Sequence, residues 1–473
     1  MHKGNEDKKM ITKGIKKKTT TTNNIPNSIL LIAYTFIVPI LIVLVRPLEM
    51  SIRQSLLLAC LLLTITWWTT NVIKKNYASL FLLGTFLIEG SSTLRTIFRF
   101  PLSSNFFVIA CSFLLSQGIV NSNVANRISK KILNRYGRTP YQLIALSFIL
   151  SFIINFLIPQ PFSRVILIAG IYTQFLSQMN ISSRTKEILL YSIFVASTST
   201  SMLFINGDIV LNNSALEFGR ISIGWIEWAV NMGLPSLLTT LIMGISFCIV
   251  FRRDLKESLF IEPEGGWEGT KPSDKEKIAT LIMVVVVLLW ATETYHHINS
   301  AVVAIIGTLA MFVCGILGWK DVKRVNIDLL LFLTVAYAIG SVLNESGIAH
   351  IIYGNLVNIF PKEYSPLYML IIILTVMGLH MVLGSSITTL SVAVPGLIEL
   401  TKGKMEAVPL VLLAYIIVNI HYLLPFHHVT IMIGAGEYYT TKTVFRYGLV
   451  QTMIVLMVAF MIYIPWWRLI GIL

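Results

Sequence analysis

The stretch that most constrains this chain runs from Gly378 to Gly396, reading Gly-Leu-His-Met-Val-Leu-Gly-Ser-Ser-Ile-Thr-Thr-Leu-Ser-Val-Ala-Val-Pro-Gly. It is a small, hydroxyl-rich break between two apolar runs, Leu367 to Leu383 and Leu390 to Leu400, each short for a membrane span on its own. A break exposed to lipid would strand backbone N–H and C=O groups, so it belongs where it is buried or lines a cavity. Two readings satisfy that constraint. One is a re-entrant helical hairpin whose tip carries Gly384, Ser385, Ser386, Thr388 and Thr389 and offers helix N-terminal N–H groups to an anion. The other is a single long helix with a hydroxyl patch on a packing face.

An upstream copy favours the hairpin. Asn121-Ser-Asn-Val-Ala125 echoes Glu345-Ser-Gly-Ile-Ala349, and each leads through an amphipathic run to a proline, Pro140 or Pro366. A long apolar run and a break follow in both places, so that Pro159-Gln-Pro-Phe-Ser163 falls opposite Ser385-Ser-Ile-Thr-Thr389. Interrupted apolar segments at matching places in two halves are the sequence mark of a transporter's central site.

Apolar residues make up 55% of the chain and charged ones 13%, which excludes an ordinary soluble domain. Successive apolar runs define an all-α polytopic membrane protein. The net charge of +14 sits largely in the tail and loops, without an aromatic-interleaved basic face, so nucleic acid is not an expected partner. Cys60, Cys111, Cys248 and Cys314 lie inside apolar runs without metal-type spacing and read as packing residues. Residues 1–26 are rich in Lys, Thr and Asn and lack the apolar core of a signal peptide, so they read as a disordered basic tail held on the cytoplasmic side.

Spans are expected near 27–45, 54–73, 79–92 and 104–120, then an amphipathic segment over 121–137 and a hairpin over 141–180. A broken span at 188–218 and a long span at 225–251 complete the first half, and the polar linker 252–277 divides the halves. The second half gives spans near 278–294, 300–318 and 328–344, an interfacial segment at 345–362 and a hairpin at 367–400. A broken span at 407–440 and a last span at 446–467 end it, making about eleven spans and two re-entrant hairpins. Placing the N-terminus inside puts the larger share of Lys and Arg on the cytoplasmic side and the C-terminus outside. An odd number of spans separates the hairpins, so they enter from opposite faces and the repeat is inverted.

Three motifs carry the expected chemistry. In Asn155-Phe-Leu-Ile-Pro-Gln-Pro-Phe-Ser-Arg164 the two prolines cannot continue a helix, and Gln160, Ser163 and Arg164 are the polar side chains on offer. Arg164 is read either as a bidentate grip on an anion or as a residue snorkelling to the surface. In Ala196-Ser-Thr-Ser-Thr-Ser-Met-Leu-Phe-Ile-Asn-Gly-Asp208 an unwound hydroxyl stretch would give Ser197, Thr198, Ser199, Thr200, Asn206 and Asp208 to a hard cation such as sodium. Asp208 is also a proton-carrier candidate, and the alternative is a solvated aspartate in an outer loop. In the second broken span Pro425 breaks the helix, and His427 and His428 supply titratable groups for a proton relay. His296-His297 reads as the end of a span.

The order of amphipathic segment, hairpin and broken span resembles the divalent anion/sodium symporter family, which includes dicarboxylate and citrate transporters. So do Ser385-Ser-Ile-Thr-Thr leading to Pro395, and the ending Tyr447-Gly-Leu followed by Pro465-Trp-Trp-Arg-Leu-Ile-Gly471. The likeness covers most of the chain beyond about residue 100. It implies a homodimer in which a scaffold domain (27–137 and 278–362) carries an elevator-like transport domain (138–251 and 363–473). It also implies Ser-Asn-Thr tips that bind sodium and a carboxylate together with the broken spans. This chain departs at those points: Ser385-Ser386-Ile387 and Pro159-Gln160-Pro161 stand at the tips, and Phe426-His-His-Val429 replaces Thr-Pro-Pro-Asn.

The expected function is ion-coupled transport of a small di- or tricarboxylate-like anion across the cell membrane. Gln160, Ser163, Arg164, Ser385, Ser386, Thr388, Thr389, His427, His428 and Thr430 are expected at the substrate. Ser197, Thr198, Ser199, Thr200, Asn206, Asp208 and Gly384 are expected at the ion, sodium or a proton, with no other cofactor and no catalytic residue. The alternatives are a proton-linked or uncoupled carrier of another anion (inorganic, phosphorylated or lipid-linked), a receptor on a transporter scaffold, and a membrane enzyme. The last lacks a nucleophile or metal constellation in the 252–277 linker.

Overall fold

Proline and glycine punctuate the apolar runs into helices, and the computed structural model describes them over residues 32–70, 72–90, 92–179, 181–256, 271–356, 361, 363 and 365–473. The expected tail 1–26, residues 257–270 of the linker and residues 357–360 of the interfacial segment lie outside the described residues. No strand occurs among those described.

The first half opens with α1 (Ile37–Val45), α2 (Ile52–Thr70) and α3 (Lys75–Glu89). The long α4 (Ser104–Ser122) and the amphipathic α5 (Val124–Tyr136) follow. α6 (Pro140–Asn155) and α7 (Pro161–Ser177) form hairpin 1, then α8 (Ser183–Thr200) and α9 (Ile209–Gly219) are the two pieces of a broken helix, and α10 (Trp225–Phe251) closes the half.

The second half repeats that order. α11 (Asp274–Ala291), α12 (Ser300–Val313) and α13 (Ile327–Glu345) precede the short α14 (Ile348–Leu356). α15 (Pro366–Leu383) and α16 (Ser386–Thr401) form hairpin 2, α17 (Ala407–Ile420) and α18 (Val429–Gly434) a second broken helix, and α19 (Thr441–Leu469) the last. The arms of each hairpin pack on one another. The single-helix reading of 367–400 is thereby corrected: the chain breaks at Gly384, which closes α15 in a left-handed conformation with its N–H on the His380 carbonyl. Among the described residues α2, α4, α10, α13, α15 and α19 are long and apolar enough to cross a membrane, and one arm of each hairpin (α6, α16), α12 and the first half of the second broken helix (α17) are shorter apolar helices.

One repeat was not visible in the apolar pattern. Both closing helices contain a π turn, Ala229–Gly233 in α10 and Ala459–Tyr463 in α19, and a proline follows each two residues later, Pro235 and Pro465. Proline has no N–H and its ring crowds the carbonyl one turn back, so the helix widens locally and carbonyls are left over. In α10 those carbonyls find donors on the partner helix. Trp466 Nε1 donates to Val230 O at 2.9 Å and Trp467 Nε1 to Asn231 O at 3.0 Å. The Pro465-Trp-Trp motif of one half therefore satisfies the backbone of the other. At the opposite end of α8, Glu187 accepts from Arg184, Thr440 and Thr443, while Asp254 takes Arg184 and Arg446. This network ties the first turns of α8 and α19 to the chain just after α10.

Trp467 is fully buried. Trp467→Phe keeps the aromatic bulk but strands Asn231 O, and should lower stability by about 1–3 kcal/mol, read from thermal unfolding in detergent. A variant as stable as the parent would mean that water or another donor reaches that carbonyl.

Candidate functional site

The end of α8 poses a problem that every helix end poses: its last carbonyls run short of partners within the helix, and Ser201 and Leu203 reach only Ser197 O, Thr198 O and Thr200 O locally. Here each is met by a side chain from elsewhere. Ser197 O receives Arg164 Nη2 at 3.4 Å and Thr198 O receives Asn419 Nδ2 at 2.8 Å. Ser199 O receives Thr240 Oγ1 at 3.2 Å, and Thr200 O receives Asn155 Nδ2 at 2.9 Å. The donors come from hairpin 1, from the second broken helix and from α10.

The unwound hydroxyl stretch expected over Ser197–Thr200 is corrected by this geometry, because α8 stays helical through Thr200 and the break covers Ser201–Asp208. The hydroxyls of Thr198, Ser199 and Thr200 donate back to carbonyls of Val195 and Ala196, as hydroxyl residues do inside helices. The loop itself is held by Asn212, whose Nδ2 lies within hydrogen-bond distance of Ser201 O, Phe204 O and Ile205 O.

Arg164 sits between the hairpin 1 tip and this break, with no solvent exposure. Its Nη1 reaches Ile158 O at 3.1 Å and Gly207 O at 3.0 Å, and its Nε reaches Ser197 Oγ at 3.1 Å. The snorkelling reading is contradicted by that burial. The anion grip is not made in this conformation either, since four of the five guanidinium N–H positions are spent on the protein. Asp208 is buried too, not solvated: its carboxylate caps α9 by accepting the Leu211 N–H. Asn206 accepts the Trp225 indole N–H, and Gln160 donates to Ser112 of α4. Ser163 lies half-buried on the first turn of α7.

The second half is built differently. Gly384 has φ +61, and a Cβ there would lie 2.8 Å from the Phe426 ring and 3.0 Å from Thr69 Cγ2 of α2. Gly384 therefore forms the tight turn of the tip, pressed between α2 and the second break. Thr69 Oγ1 holds the end of α15 through Leu383 O at 2.9 Å. Ser385 begins α16, and Ser386 Oγ lies 2.8 Å from Val418 O and 3.2 Å from His427 O, fastening the tip to the break. Thr388 Oγ1 is buried without a partner. Thr430 lies buried on the first turn of α18. The two broken helices meet where Asn419 donates to Thr198 O, and α9 packs on α16 while α7 and α8 pack on α18.

Four histidines gather here, His380 from α15 and His421, His427 and His428 from the break, with the His380 ring centroid 5.5 Å from that of His427 and 6.4 Å from that of His421. Their hydrogen bonds fix different roles. His427 Nδ1 accepts the N–H groups of Leu423 and Leu424, and His428 Nδ1 accepts the Thr430 N–H while its Nε2 meets Asn419 Oδ1 at 3.2 Å. A proton on either Nδ1 would oppose a backbone donor, so both rings act as neutral caps, not as the relay expected of them.

His380 and His421 are the opposite case. Thr389 Oγ1 donates to Ser385 O, so it accepts from His380 Nδ1, 2.9 Å away. Thr452 Oγ1 donates to Gly448 O, so it accepts from His421 Nε2 at 3.1 Å. The remaining ring nitrogens, His380 Nε2 and His421 Nδ1, are each sealed from solvent without a partner at ordinary hydrogen-bond geometry. Asn155, Asn212, Asn419, His380 and His421 were not among the expected site residues. A polar residue at the end of an otherwise apolar run is the signal that marks Asn155, Asn419 and His421.

Paired hairpins and paired broken helices meeting at a buried polar centre define the class of membrane transporters built on a repeated half. The sequence signature described as "Sodium:sulfate symporter transmembrane region" matches residues 26–473, and the chain belongs to that family. Among its relatives is "Dicarboxylate transporter 1, chloroplastic" of Spinacia oleracea, 23% identical over 314 residues covering 62% of this chain and 54% of that protein. Another is "Inner membrane protein YbhI" of Escherichia coli, 22% identical over 261 residues, 52% of this chain and 54% of that one. The chain thus spans about half the length of these relatives. Its fold is similar to that of the Alcanivorax borkumensis YdaH transporter, with TM-score 0.52 and 13% identity over 80% of this chain and 88% of that one. The family is one of transporters, not enzymes, as the name of the chloroplast relative also says, and the chain is a multi-pass membrane protein.

Gly384→Ala should cost at least about 1–2 kcal/mol from the left-handed backbone alone, and more from the contacts with Phe426 and Thr69. Gly403→Ala, also at positive φ but with open space around its Cβ, isolates the backbone part. Equal losses of melting temperature in the two variants would show that the tip is not pressed between α2 and the break.

Proposed function

We propose that this protein is a secondary active transporter of a small organic anion, di- or tricarboxylate-like, moved across the cell membrane by an elevator motion and coupled to an ion gradient. The observation that carries the reading is the convergence of two hairpin tips and two breaks on one buried region that keeps a hydroxyl, Thr388 Oγ1, without a protein partner. The anion would lie between the first turn of α16, where N–H groups face the N-terminal end of the helix dipole, and the breaks. Ser385, Ser386, Thr388, Thr389 and Thr430 line that region, with Gln160 and Ser163 at the other tip.

The proposed topology has eleven spans and two re-entrant hairpins in an inverted repeat, with the N-terminus cytoplasmic and the C-terminus outside. The distribution of Lys and Arg supports it. In the proposed homodimer α1–α5 and α11–α14 form the scaffold, and α6–α10 with α15–α19 form the moving part. Gln160 on Ser112, Thr69 on Leu383 O and Arg220 on Ser341 are contacts that the motion must exchange. A cavity of about 510 Å³ at that boundary is lined by Arg95, Arg99 and Arg220 together with Glu345, and its arginines would draw anions to the mouth.

The substrate reading is tested by reconstituting the full-length protein in liposomes and following labelled succinate and sulfate under imposed sodium and proton gradients. Gradient-driven uptake without ATP is expected. Thr388→Val removes a hydroxyl that no protein group uses, so it should leave the melting temperature unchanged while weakening apparent affinity about tenfold. Unaltered uptake by this variant would move the anion away from the tip.

A proton-linked carrier is the second reading, favoured by the bare nitrogens of His380 and His421. Uptake should then be greater at ~pH 5.5 than at ~pH 7.5. His380→Gln and His421→Gln together should erase the difference, whereas His428→Asn, which still can cap α18, should keep it. A pH profile unmoved by the double variant would dismiss this reading.

A further inference from the structure

The family's name carries sodium, and the fit of a cation can be tested at the first break. A hard cation needs several oxygens with lone pairs free to face it. At the end of α8 the carbonyls of Ser197, Thr198, Ser199 and Thr200 already face N–H or O–H donors from Arg164, Asn419, Thr240 and Asn155. Asn155 Oδ1, Gln160 Oε1 and Asn212 Oδ1 are buried nearby without a partner, but Ile158 O, Gly207 O and Ser197 Oγ, the oxygens presented from tip, break and helix end, surround the Arg164 guanidinium at 3.0 to 3.1 Å. A sodium ion placed among them would meet donors and a fixed positive charge. Sodium does not fit among the oxygens that Arg164 holds.

The same geometry gives Arg164 a positive role. Its oxygens come from three separate segments: the tip of hairpin 1, the break and the last helical turn of α8. A buried charge is tolerated where hydrogen bonds and an opposite charge surround it, and Arg164 has both, with the buried Asp208 carboxylate in electrostatic reach. The guanidinium does not lose its proton in proteins, so the charge is permanent.

We propose that Arg164 is a resident cation, which holds hairpin 1 closed on the first break through the carbonyls a bound cation would need, so that this half of the site works without sodium. The inference rests on the transport reading of the same site but narrows its coupling: any ion that travels with the anion must be taken up in the second half.

The test needs no anion beyond chloride, so it can fail while anion transport stands. Melting temperatures of the purified full-length protein are compared in sodium chloride and in choline chloride at equal ionic strength. The wild type should show only the sodium response that the second half supplies. Arg164→Gln should melt lower and gain a further saturable, sodium-dependent rise of several degrees, as the vacated carbonyls accept the ion. Arg164→Lys keeps a charge in the cage and should respond to sodium no more than the wild type, which decides the matter should Arg164→Gln not fold. Sodium responses of equal size in wild type and Arg164→Gln, or a response in Arg164→Lys larger than that of the wild type, would overturn the proposal.

Discussion

Backbone hydrogen bonding away from water is the constraint on which the rest of this structure depends. In hydrocarbon every N–H and C=O must find a partner inside the protein, and a chain that breaks its helices there strands several at once. This protein breaks four times, at two hairpin tips and in two broken helices, and side chains answer each break. Arg164, Asn155 and Asn212 serve the first half together with Asn419 from the other half, and Ser386, His427 and His428 serve the second. The same logic reaches the closing helices, where indoles from α19 satisfy carbonyls of a proline-widened α10.

The two halves share an order of elements but answer the constraint with different chemistry. In the first, one guanidinium spans tip, break and helix end. In the second, no arginine or lysine takes that place: hydroxyls and imidazoles do the fastening, and among the described residues none of the four histidines is ion-paired to a carboxylate. Asn419 joins the halves, since its Nδ2 holds the end of α8 while its Oδ1 receives His428. A shift of either broken helix is therefore felt by the other through this amide as well as through their packing.

Much of the architecture was legible because it is written in long-period features. The repeat from Asn121 to Ser163 and from Glu345 to Thr389 located both hairpins, and Pro159, Pro161, Gly384 and Pro425 marked where helices must stop. Partner choice was not legible. The hydroxyl run at Ser197–Thr200 looked like unwound backbone, yet hydroxyls that bond to their own helix leave it intact, and the break moved to Ser201–Asp208. Arg164 offered a choice of anion grip or snorkel, because sequence alone does not tell that Ile158, Gly207 and Ser197 would present oxygens on three sides. His427 and His428 drew attention as an adjacent pair, while His380 and His421, far apart in sequence, hold the open nitrogens. Tautomer assignments depend on which threonine hydroxyl has already given its hydrogen away, and that is settled only in three dimensions.

The claim that side chains of the protein itself fill the places opened by its broken helices is tested most directly by cryo-electron microscopy of the full-length protein in lipid nanodiscs and sodium-containing buffer. The account predicts guanidinium density from Arg164 joined to the carbonyls of Ile158 and Gly207, with Asn155 and Asn419 on the end of α8. Arg164 turned out of this cage, with an ion-sized peak among those carbonyls in its stead, would contradict it.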